Sequence, residues 1–144
     1  MNKLILLTLF LLPLLTFSQT QLGSDIDGEA AFDYSGYSVS IDSDGSHVAI
    51  GAWGDDGNGS SAGHVRVYEY SSGSWTQVGS DIDGEAANDY SGYSVSIDSD
   101  GSHVAIGAIG NDKVVGINSG NVRIYSWDGS AWNQVGNDID GEAS

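Results

Sequence analysis

The chain has 144 residues and no cysteine, and it sets 20 Asp and Glu against four Lys and Arg, a formal net charge of −16. So negative a surface repels nucleic acid and anionic membranes and attracts cations, which removes nucleic-acid binding from the possible functions. Without disulfides, a small domain must take its stability from a large core, from metal or from stacked repeats.

Residues 1–18 read as a secretory signal peptide. Lys3 supplies the positive start, and residues 4–15 are apolar apart from Thr8 and Pro13. Thr16 and Ser18 are the small residues of a cleavage site that leaves Gln19 at the mature N-terminus. The run is shorter than the ~20 apolar residues of a membrane-spanning helix, and no cysteine comes after it for lipid attachment. The sequence therefore predicts an exported protein, extracellular or at the cell surface, with no membrane span in the mature chain.

The mature chain is built from a repeat. Residues 21–52 (QLGSDIDGEAAFDYSGYSVSIDSDGSHVAIGA) and 77–108 differ only at Leu22/Val78 and Phe32/Asn88, and a third copy starts at Gln134. The organisation expected is an outer strand and crossover at 19–35, a first repeat at 36–91, and a second at 92–144 that includes the start of another copy.

Within one period, four short segments carry strand signals. Tyr37-Ser38-Val39-Ser40-Ile41 alternates large and small residues, and Asp42-Ser43-Asp44-Gly45 supplies turn chemistry. The alternation predicts strands over 37–41, 47–52, 64–70 and 74–79, and again over 93–97, 103–108, 121–127 and 131–136, with no helix after residue 18. Four antiparallel strands per unit at this period mark a β-propeller blade; a solenoid of stacked hairpins is the competing all-β arrangement. The small residues Ser38, Ser40, Ala49 and Gly51 belong near the axis, where blades approach closely, and Tyr68, Tyr70 and Trp75 in the outer strands. Two blades do not close a ring, since propellers have about four to eight. The expectation is therefore either a fragment of a larger propeller or self-association through exposed blade faces, truncation being favoured.

The blade pattern resembles the FG-GAP repeat of integrin α-subunit heads and of secreted bacterial proteins. Ser35-Gly36-Tyr37-Ser38-Val39 stands at its Phe-Gly-x-Ser-Val element, and Val48-Ala49-Ile50-Gly51-Ala52 at its hydrophobic-x-Val-Gly-Ala element; 91–95 and 104–108 repeat both. The resemblance implies a calcium loop between the first two strands of a blade, and so directs attention to Asp42, Asp44, Asp98 and Asp100. That turn is short here, and His47 replaces the closing acid, so a tight Asx-type turn is the plainer description. The acidic crossover offers a second set: Asp25, Asp27, Glu29 and Asp33, repeated as Asp81, Asp83, Glu85 and Asp89. Oxygen ligands at alternate positions suit Ca2+, and a solvated crossover competes with that reading. The loop at Asp55-Asp56 is a weaker candidate.

An enzyme needs converging unlike groups. The histidines are only His47, His64 and His103, two of them at equivalent repeat positions, so no catalytic role is expected. The leading expectation is an extracellular binding or adhesion module for a protein or glycan, its specificity in the loops at 53–63 and 109–120, where the copies diverge most. A spacer or surface-coat component without a small ligand is the alternative, and part of a glycan-cleaving propeller the remote one.

Overall fold

A computed structural model of the chain describes residues 19–112 and 119–142. Residues 1–18, where a signal peptide is expected, residues 113–118, which include the Lys113-Val114-Val115 part of the second variable loop, and the last two residues lie outside the described residues.

Two antiparallel sheets succeed one another along the chain. The first contains β1 (Ser38–Ile41), β2 (His47–Ala52), β3 (His64–Ser71), β4 (Ser74–Gln77) and β5 (Ile82–Asp83), and the second contains β6 (Ser91–Ile97), β7 (His103–Ala108), β8 (Asn121–Trp127), β9 (Trp132–Gln134) and β10 (Ile139–Asp140). Neighbours in sequence pair in space, in the order β1-β2-β3-β4 and again β6-β7-β8 with β9 beside β8. Each sheet is thus the four-stranded meander of a propeller blade. The predicted strands agree with these to within two residues at each end, and no helix occurs among the described residues.

The outer strand differs from expectation. It does not end near 79 but bends and resumes, so that β4 pairs with the far half of β3 while β5 pairs Ile82 with Val65 and Asp83 with His64. Between them Gly79 takes a φ of 76°, a left-handed value open to glycine at little cost. The acidic crossover is therefore part of the blade for two residues, and β10 repeats this against β8.

Register sorts every strand onto two unlike faces. Ser38, Gly51, Val65 and Ile82 stand in line across the first sheet, as do Ser40, Ala49 and Val67. This is the small-residue face. The other carries Val39, Ile50 and Arg66, then Ile41, Val48, Tyr68 and Gln77.

The blades stack unlike face on unlike face. Ala49, Val65, Val67 and Ile82 of the first blade form one buried cluster with Ile97, Val104, Ile106 and Tyr125 of the second, and Val95 and Trp132 pack on its edge. Polar groups sew the inner edge: Ser38 Oγ donates to the Gly92 carbonyl at 2.7 Å, and the Ile97 amide donates to Ser40 Oγ at 3.1 Å. The Gly51 backbone lies so close to the second blade that an added Cβ would run into the Gly92 carbonyl. Small residues near the axis are thus a condition of stacking, as the alternation implied. Outside the apolar cluster, the amides of Asn88, Tyr90 and Ser91 donate to the carbonyls of Ser60, Ser61 and Ala62 at 2.8–3.1 Å.

Candidate functional site

The end of the stack at which β1 and β6 begin collects most of the chemistry. The crossover, the variable loop after β2 and the start of β3 all converge there.

The crossover carboxylates have separate duties. Asp33 and Asp89 are buried, and each accepts the amide three residues before it, Ala30 at 2.7 Å and Ala86 at 3.0 Å. Asp89 Oδ2 also accepts the Asn111 side chain at 3.2 Å. Asp25 and Asp81 accept Gln21 and Gln77 side chains at 2.7 and 2.6 Å. The backbone carbonyls of Asp27 and Asp83, rather than their carboxylates, receive the buried Arg66 and Arg123 at 2.9 Å. Glu29 sits 3.6 Å from Arg66. Arg66 and Arg123 also lie over the rings of Tyr68 and Tyr125, two residues along their own strands. Both arginines therefore serve the blade rather than its surface.

Two sets of side chains come close enough to share one cation: Glu29, Asp55 and His64, and His64, Asp81 and Asp83. His64 is 1% exposed, its Nδ1 lies 3.2 Å from Asp55 and 4.0 Å from Asp81, and its Nε2 has no partner among the described residues. The Asp83 carboxyl is pushed up, first by desolvation and then by Asp81 and Asp55, while His64 and Arg123 pull the other way. Three of the expected crossover ligands, Glu29, Asp81 and Asp83, thus belong to these sets, as does the weaker loop candidate Asp55. His64 was not expected, because nothing in its local sequence shows that β5 folds back beside it. The second blade has Asn121 at that place, donating to Asp138 at 3.3 Å.

The turn candidates are built differently. His47 Nδ1 lies 2.8 Å from Asp42 Oδ2, which also accepts Ser46 Oγ at 3.0 Å, and Asp44 accepts the Ser46 amide. Asp98 and Asp100 repeat the arrangement with His103 and Ser102. Burial alone would raise the carboxyls of Asp42 and Asp98, yet the hydrogen bonds from these neighbours hold both down to about 2. One oxygen, Asp42 Oδ1, is buried without a partner among the described residues. A single free oxygen beside an imidazole falls far short of the six to eight oxygens calcium takes. These turns do not fit the calcium loop that the resemblance implies.

Beside the acidic set lies a cluster of rings. Trp53 stacks on Tyr34 at 4.7 Å with 3° between planes and meets Tyr90 of the second blade edge-on at 5.5 Å. Tyr37 and Tyr93, equivalent residues of the two blades, touch through their hydroxyls at 3.0 Å. Tyr34 and Tyr37 are about half exposed, and the Trp53 indole N–H is buried with no acceptor among the described residues. Trp75 and Trp132 are elsewhere, packed in the outer strands with indole N–H groups on the Leu22 and Val78 carbonyls. Phe32 stands apart in exposure: it is 80% exposed at a φ of 72°, a left-handed backbone that Tyr34 and Tyr90 also adopt.

Two stacked four-stranded meanders with close-packed inner strands and a crossover from each outer strand to the next inner one are blades of a β-propeller. The FG-GAP repeat matches residues 24–68 and 75–125, more than half of the chain, and the protein belongs to that family. No curated protein matches it in sequence.

Proposed function

We propose that the protein is an exported, non-catalytic binding module, secreted or held at the cell surface, whose ligand docks on the aromatic and acidic end of the blade stack. The observation that carries this reading is Phe32. A bulky apolar side chain at positive φ is costly, and strain of this kind collects at ligand sites. Phe32 gains nothing from burial in return. The second copy holds the same backbone with Asn88 at a φ of 65°, a residue that tolerates it.

Exposed, closely spaced rings suit flat apolar surfaces, sugar rings first and protein aromatics second. A role without catalysis is supported by the histidines. His47 and His103 are bonded within their turns, and His64 is buried. The carboxylates of Asp81 and Asp83, rather than the His64 imidazole, serve in this reading as oxygen ligands for a divalent cation, calcium in the first instance, that steadies the docking end.

Phe32→Asn and Trp53→Ile test the proposal. Each installs what the second copy carries at its own equivalent position, so the fold accommodates both. On glycan arrays and arrays of extracellular matrix proteins, binding is expected to fall at least about tenfold, the loss of one aromatic contact of about 1.4 kcal/mol. Unchanged binding in both variants, or no binding by the parent protein to either array, would count against it.

A further inference from the structure

One inter-blade interface is present intact within the chain, and both of its halves are present again, open, on opposite sides of the pair. Ile97 is 8% exposed under the first blade, whereas its equivalent Ile41 is 59% exposed and Val39 beside it 62%. On the other side Val65 and Ile82 are 0% and 5% exposed, against 38% and 57% for their equivalents Val122 and Ile139. Ser94, Ser96 and Gly107 repeat the small-residue set that receives the second blade in Ser38, Ser40 and Gly51. A Cβ on Gly107 would meet only its own blade's Ser94, where one on Gly51 meets the neighbouring backbone. The open large-residue face and the open small-residue face are therefore complementary, because near-identical residues already fit one another inside the molecule.

The backbone repeats the pattern. Tyr90 and Ser91 donate across the blades, while the amides of Tyr34 and Ser35 have no acceptor among the described residues. Ser119, the equivalent of Ala62, stands on the opposite side of the pair.

One segment stands in the way and is itself informative. Residues 21–28 lie on the outer half of the open large-residue face: Leu22 accepts from Trp75 and Asp27 from Arg66. Inside the chain the same bonds run from Trp132 to Val78 and from Arg123 to Asp83, and there the acceptors belong to the outer strand of the preceding blade. Residues 21–28 thus occupy the seat of a neighbour's outer strand, and residues 134–141 (QVGNDIDG against QLGSDIDG) are the strand built to fill it. The two cannot both sit there. Residues 134–141 are anchored through β9 and β10 to β8, whereas no strand pairing holds 21–28 among the described residues, so 21–28 yields.

We propose that a second copy of this chain docks head to tail, its β6-β7-β8 small-residue face on the open face of β1-β2-β3 and its residues 134–141 displacing residues 21–28. Such an interface is heterologous, so each copy keeps one free face until a ring closes.

Sedimentation velocity and native mass spectrometry on protein purified after expression of the full chain test this. Ile41→Asp disables one face and Val122→Asp the other; both side chains are exposed, so each variant keeps its internal interface. The expected result is a discrete oligomer of the parent protein, a monomer for either variant alone, and a one-to-one dimer that grows no further when the two are mixed. A parent protein that stays monomeric up to high micromolar concentration would overturn the proposal. So would variants that associate as the parent does, or a mixture that gives no dimer.

Discussion

Ile97→Ala and Ile41→Ala make the same chemical change at the same position of the repeat, and differ only in whether a blade lies on top. Removing three carbons from a fully buried site costs roughly 2.4 kcal/mol, at about 0.8 kcal/mol per CH2. Ile97 is 8% exposed and Ile41 59%, which scales the loss to about 2.2 and about 1 kcal/mol respectively. The hole left among Val104, Ile106 and the first-blade residues of the cluster takes the Ile97 figure to about 3 kcal/mol, since packed surroundings collapse only partly. At about 4 °C per kcal/mol for a chain of this size, Ile97→Ala lowers Tm by roughly 12 °C and Ile41→Ala by roughly 4 °C. Thermal unfolding followed by tryptophan fluorescence, at concentrations where separate copies are apart, reads both. Equal losses would mean that stacking of the blades is not what stabilises them. At high concentration the Ile41 loss should grow, because a docked copy would cover that residue.

The same stacking distinguishes two glycines. Gly51→Ala pushes a methyl group into the Gly92 carbonyl, and should cost about 1–3 kcal/mol in urea unfolding, whereas Gly107→Ala meets only the rotatable Ser94 side chain and should cost less. Equal costs would place the blades further apart than described. Asp42 and Asp98 have carboxyls depressed to about 2, so the stability they contribute is complete above about pH 4 and is lost as pH falls toward 2. Asp42→Asn should flatten the acid side of a Tm-against-pH curve, and an unaltered curve would disprove the link. Calcium at matched ionic strength should raise Tm more than magnesium does, and Asp83→Asn should abolish the difference. Equal shifts from both ions that survive the substitution would reduce the effect to screening of an acidic surface.

Blade architecture was legible because alternation, turn residues and the repeat all pointed the same way. Ser38, Ser40, Ala49 and Gly51 marked the closely packed inner edge before any contact was known. The end of the stack at which β1 and β6 begin was less legible. The pairing of β5 with β3 depends on a bend at Gly79, and period-two alternation does not cross such a bend. His64 and Asp83 are therefore neighbours that no local pattern connects. Trp53 gave no hint of the cluster it joins, because Tyr90 and Tyr93 reach it from the other blade. The turn histidines His47 and His103 were readable as unsuited to calcium, and the structure supplies the reason in their bonds to Asp42 and Asp98.

Amide hydrogen exchange tests the stacking of one blade on the next most directly, because the two copies act as mutual controls. Tyr34 and Ser35 lie in nearly the same sequence as Tyr90 and Ser91, but only the second pair donates to a neighbouring blade, at 3.1 Å to Ser61 and 2.9 Å to Ala62. In dilute solution the Tyr90 and Ser91 amides should exchange orders of magnitude more slowly than those of Tyr34 and Ser35. Equal exchange at the two pairs would contradict a stacked pair of blades.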